Sequence, residues 1–121
     1  MRPRTPLTTA LLVLAIPAFA HAPKSRYGGR IAVAGPFHVE MVAQANSIQV
    51  HLIGHDDKPM TVSGYKGLAI LAVDGKSQRV VLEPAGNEVL SGKADGALPA
   101  QPKGVVQITP PDGKVVSAKF D

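Results

Sequence analysis

Glycine or proline interrupts this chain at short intervals, which limits the length any regular element can reach. Both residues weaken helix interiors and mark turns. Between the interruptions valine is the commonest large apolar residue, with thirteen copies after residue 20, and β-branched side chains suit a pleated, half-buried surface. The combination predicts strands between turns. Candidate strands span 30–34, 37–43, 47–53, 67–73, 78–83, 88–91, 105–109 and 115–120. Asp74-Gly75 and Pro111-Asp112-Gly113 are turn signals between neighbours, and residues 93–103 read as a long loop. The expected fold class is all-β: an immunoglobulin-like β-sandwich of about seven antiparallel strands, with a small barrel as the other architecture this pattern allows. Phe37, Val39, Met41, Val50, Leu52, Ile70, Val80, Leu82, Ile108 and Phe120 are the expected core.

One stretch has no glycine or proline, from Phe37 to Ile53, and its apolar residues also fit a helical stripe. Alternation accounts for more of it. Phe37, Val39, Met41 and Ala43 alternate with His38, Glu40 and Val42, and Ile48, Val50 and Leu52 alternate with Gln49 and His51. A hairpin turning at Ala45-Asn46 pairs Ala43 with Ile48, Met41 with Val50 and Val39 with Leu52 on the core face. On the other face it sets Glu40 opposite His51 and His38 opposite Ile53. A slip of one residue would mix the two faces, so this register is strongly specified. Asn46 is the residue expected to take the left-handed conformation at the turn.

The first 20 residues have the pattern of a cleaved export signal. Arg2 and Arg4 form a positive start, residues 7–16 are an uncharged, apolar-dominated run, and Pro17 breaks it before Ala18-Phe19-Ala20. The run is about half the length a membrane-spanning helix needs, so no permanent anchor is expected. Cleavage after Ala22 would leave Pro23 beyond the cut bond, so cleavage after Ala20 is favoured. Residues 21–121 then form one β domain in the periplasm, beginning at His21, whose α-amine and ring nitrogen make a chelating pair suited to Cu(II).

Composition removes several functions. Without Arg2 and Arg4, eleven Lys/Arg face nine Asp/Glu, a net of +2. With only Tyr27, Phe37, Tyr65 and Phe120 as aromatics beyond the leader, there is neither the charge nor the stacking surface for nucleic acid. The absence of cysteine excludes thiol catalysis and thiolate ligands. No serine lies in a nucleophile-elbow context, and Tyr27-Gly28-Gly29-Arg30 is too short for a phosphate loop. No catalytic residues are assigned, and the chain is not expected to be an enzyme.

All four histidines fall between His21 and His55. On the hairpin above, His38, Glu40 and His51 share one face, and His55 follows within His55-Asp56-Asp57-Lys58-Pro59-Met60. Imidazoles and a carboxylate on a rigid hairpin suit Cu(II), Zn(II) or Ni(II), and Met60 would add a soft ligand for Cu(I). The bland alternative is an ordinary Glu40–His51 pair on a solvated face. The candidate metal ligands are thus His38, His55, His21, His51 and Glu40, with Met41 assigned to the core.

Tyr27-Gly28-Gly29, Ala34-Gly35-Pro36-Phe37-His38-Val39-Glu40-Met41-Val42, Gly54-His55-Asp56-Asp57-Lys58-Pro59 and Leu82-Glu83-Pro84-Ala85-Gly86-Asn87 occur in that order. The series resembles small periplasmic proteins associated with bacterial heavy-metal efflux systems, and a related module of efflux adaptor subunits. The resemblance implies a β-sandwich and a role in metal handling. The expected ion is copper, with zinc or nickel as the alternatives, and the expected partner is an efflux adaptor or other envelope protein. The matching histidines are His38 and His55. Tyr27 stands where that family carries the histidine of a His-Gly-Gly start, so a ligand there is lost or is replaced by His21. A different class of function stays open: a metal-free interaction module of the cell envelope that uses exposed sheet edges.

Overall fold

A computed structural model describes residues 24–121 of the chain. It contains eight strands: β1 (Arg30–Ala34), β2 (Phe37–Gln44), β3 (Ser47–Ile53), β4 (Lys66–Val73), β5 (Lys76–Pro84), β6 (Leu90–Lys93), β7 (Lys103–Thr109) and β8 (Val116–Phe120). There is no helix among the described residues. Every pairing is antiparallel, and the strands run in the order β1-β2-β3-β6-β5-β4-β7-β8. The leader, both cleavage positions and His21 lie outside the described residues.

The all-β, antiparallel character is as expected, but the arrangement differs from a seven-strand sandwich. One nearly closed sheet of eight strands forms a barrel-like body. The four-residue strand β6 is the reason. It pairs with β3 from Ser47↔Lys93 to Val50↔Leu90 and with the end of β5 at Glu83↔Ser91 and Pro84↔Leu90. It thereby joins what would otherwise be two sheets. A Cβ at Gly92 would lie 2.2 Å from the Val81 carbonyl oxygen, so only glycine permits this close passage.

At the other side β1 and β8 meet. Arg30 on β1 spans the seam, donating to the carbonyls of Asp121 and, at 3.1 Å, Pro102, with its guanidinium 5.8 Å from the centre of the Phe120 ring. The interior is filled by alternating residues: Phe37, Val39 and Met41; Ile48, Val50 and Leu52; Ala69, Leu71 and Val73; Val80 and Leu82; Val106 and Ile108; Ala118 and Phe120. Nine of the ten expected core residues are there. Ile70 is not: it is only half-buried, and Ala69 and Leu71 on the opposite parity of β4 point inward.

The β2–β3 register is the one the alternation predicts, from His38↔Ile53 through Glu40↔His51 to Ala43↔Ile48. The turn differs in detail. Ala45, not Asn46, has the positive φ, at 56°. The longest connection is not the one between β6 and β7 but that between β3 and β4. The β6–β7 loop takes the carbonyls of both turn residues, Asn46 accepting from the Ala94 amide at 2.7 Å and Ala45 from the Leu98 amide at 2.9 Å.

Candidate functional site

The outer face of the β2–β3 hairpin is not the solvated surface that alternation alone suggests. Glu40 is fully buried, His51 is 9% exposed and Ile53 is buried beside them. Residues 25–29 cover this face. The Glu40 carboxylate accepts hydrogen bonds from Ser25 Oγ at 2.7 Å and from the backbone amides of Arg26 (2.9 Å), Tyr27 (3.0 Å) and Gly29 (2.8 Å). Ser25 Oγ also accepts from the Gly28 amide at 2.9 Å, folding the segment back on itself.

Three backbone amides converging on one anion form a nest. Gly28 makes the bend with φ 79°, and Gly29 allows the close approach, since a Cβ there would lie 2.3 Å from the Met41 carbonyl oxygen. The glycine bend that is too short to hold a phosphate shapes a segment that holds a carboxylate of its own chain. Burial pushes the Glu40 carboxyl up, but the bonds from Arg26, Ser25, Gly29 and Tyr27 outweigh it and hold the group below its ordinary value. Four donors satisfy the two oxygens, and Glu40 is a structural anchor in this arrangement, not an available ligand.

His51 is withdrawn as well. The Tyr27 ring stacks on it with centres 3.6 Å apart and planes within 9°, and its buried ring nitrogens make no hydrogen bond of good geometry, although the Glu88 backbone approaches closely enough to favour the protonated form. Burial lowers its pKa, with the Glu40 charge and the nearby Glu88 backbone and charge opposing the shift without reversing it. The expected pairing of Glu40 opposite His51 is therefore present, but as a covered pair. The solvated-face reading fails because alternation cannot register what segment 25–29 lays over the strands.

His38 and His55 come together. Their ring centres are 5.8 Å apart, with planes at 80°. His38 is half-buried on β2, and its Nδ1 is buried with no hydrogen-bond partner. His55 is exposed on a tight loop closed by Gly54 N–H to the Lys58 carbonyl (2.9 Å), Asp57 N–H to the Gly54 carbonyl (3.0 Å) and Lys58 N–H to Asp56 Oδ1 (3.1 Å). Asp57 takes a φ of 61° there. The Arg26 guanidinium donates to the Asp57 carbonyl, tying this loop to the covering segment.

Two imidazoles sharing a metal at nitrogen distances of about 2 Å stand with ring centres roughly 5–6 Å apart. The spacing of His38 and His55 falls within that span, and the orphaned His38 nitrogen fits a ligand role. Among the described residues, no cluster of three or more His, Cys, Asp or Glu is spaced to hold a metal ion. Of the five candidate ligands, the fold joins His38 and His55, gives Glu40 and His51 to the covered pair, and leaves His21 outside the described residues. Met60 is partly buried and packs against the core. Ser25, Arg26 and Tyr27 carry much of the local architecture, and the signal for them was the Tyr27-Gly28-Gly29 bend. Comparison with protein-family models, with curated proteins and with solved structures finds no match to this chain.

Proposed function

We propose that the protein is an exported, periplasmic binder of a transition metal, copper first and zinc or nickel next, that buffers the ion or delivers it to an efflux system. His38 and His55 are the ligands that this reading requires. The observation that carries it is the approach of these two rings to 5.8 Å with His38 Nδ1 lacking any protein partner. Two imidazoles leave coordination positions open, which suits an ion that is passed on rather than locked in place. The export pattern of the first 20 residues and the resemblance to efflux-associated proteins support the setting.

Calorimetric titration of the mature protein with Cu(II), Cu(I) and Zn(II) tests the proposal. His38→Ala and His55→Ala are each expected to weaken binding at least tenfold, about 1.4 kcal/mol, and His51→Ala much less. Affinity is expected to fall on acidification, because only neutral imidazole binds a metal. Absence of binding with all three ions would sink the proposal. It would favour a metal-free interaction module, for which the support is the end strand β1 and its Val33, 62% exposed.

A further inference from the structure

The segment that covers Glu40 and His51 also reaches the loop carrying His55. Its residues are fixed at three places on different parts of the fold. Ser25, Arg26, Tyr27 and Gly29 bind the Glu40 carboxylate of β2. Tyr27 lies on the His51 ring of β3. The Arg26 side chain holds the carbonyl of Asp57, two residues beyond His55. Glu40 is itself two residues from His38 on the same face of β2. The path from one histidine to the other thus runs His38, Glu40, the Arg26 amide, the Arg26 guanidinium, Asp57 and His55.

We propose that residues 25–29 act as a clasp that sets the approach of His55 to His38, with Glu40 and Arg26 as positioning residues that do not touch the ion. This rests on the metal reading above and revises it: Glu40, which its spacing made a candidate ligand, serves the site through the clasp. Coupling of this kind is reciprocal. If the closed clasp raises affinity for the ion, the bound ion must stabilise the closed clasp by the same factor. Metal occupancy is then reported at residues 25–29, away from the ligands themselves.

The experiment uses the full mature chain with Zn(II), which is diamagnetic, and follows it by NMR and calorimetry. In Arg26→Ala the cross-peaks between the His38 and His55 rings should weaken or vanish, and Zn(II) affinity should fall at least fivefold. Arg26→Lys, which keeps a donor on a long stem, should recover part of both. Arg26 is exposed, so the urea midpoint should barely move in either variant, which separates positioning from a general loss of fold. In the wild type, Zn(II) should slow amide exchange at Tyr27 and Gly29. Unchanged ring cross-peaks and affinity in Arg26→Ala would overturn the clasp. If the wild type binds no metal, the metal reading falls, and the ring cross-peaks with amide exchange at Gly54 and Lys58 still decide whether Arg26 positions the loop.

Discussion

A carboxylate accepting four hydrogen bonds from one segment is costly to remove, and an imidazole buried with poorly satisfied nitrogens is costly to keep. Glu40 and His51 lie opposite each other and make opposite contributions. Leaving a buried polar group unsatisfied costs about 1–3 kcal/mol, so His51→Phe, which keeps the stack on Tyr27, is expected to raise stability by about 1 kcal/mol. Both groups weaken the fold in acid. The unfolded imidazole takes up a proton as pH falls through its ordinary value of 6.5, while the folded one resists until lower pH, so stability declines below 6.5. Glu40 stays ionised to lower pH when folded, so its contribution is complete above 4.5 and is lost as pH falls through the folded value. Urea midpoints measured from pH 8 to pH 3 should therefore fall in two stages. His51→Phe should abolish the upper stage and Glu40→Gln the lower. A flat profile between pH 8 and pH 5 would show that His51 is not held neutral.

The β2–β3 hairpin was legible because apolar and polar residues alternate with contrast, and one register alone keeps the faces apart. β4 lacked that contrast. Leu68, Ala69, Ile70, Leu71, Ala72 and Val73 are all apolar, as suits a strand paired on both sides, with β5 and β7. Ile70 was expected inside, where the structure puts Ala69 and Leu71. The burial of Glu40 and His51 was not legible for a different reason. Their cover comes from residues 11 to 15 positions before Glu40, and strand periodicity carries no information about a segment that lies across the sheet. The site was accordingly half readable: His38 and His55 are neighbours as the hairpin and its loop imply, and the clasp beside them was read only as a glycine-rich bend. The hairpin turn also gives a test. Ala45 holds a left-handed φ, which costs a non-glycine residue roughly 1–2 kcal/mol. Ala45→Gly is expected to raise the thermal midpoint, with a net gain of about 0.5–1 kcal/mol after glycine's greater freedom when unfolded. A lower midpoint would mean that the turn adopts another conformation.

For the molecule as a whole, closure depends on two unlike joints. At β6, adjacency comes from backbone passing close to backbone, with Gly92 against Val81. At the seam between β1 and β8, beside the shared core, Arg30 reaches across to Pro102, Asp121 and Phe120. These partners lie far apart along the chain, Arg30 and Asp121 by 91 positions. Bringing such distant segments together carries a large loop-closure cost, and contacts that depend on it form late in folding. The β2–β3 and β4–β5 hairpins, each turning through a few residues, are suited to form first. The seam thus governs how long the folded molecule lasts more than how fast it assembles. Arg30→Ala is expected to leave the refolding rate nearly unchanged and to raise the unfolding rate by roughly the full loss in stability, a φ-value near zero. Stopped-flow chevrons of the wild type and variant would show it, and a slowed refolding limb would place closure early instead. On this account, the guanidinium that bridges the seam lengthens the native state's lifetime.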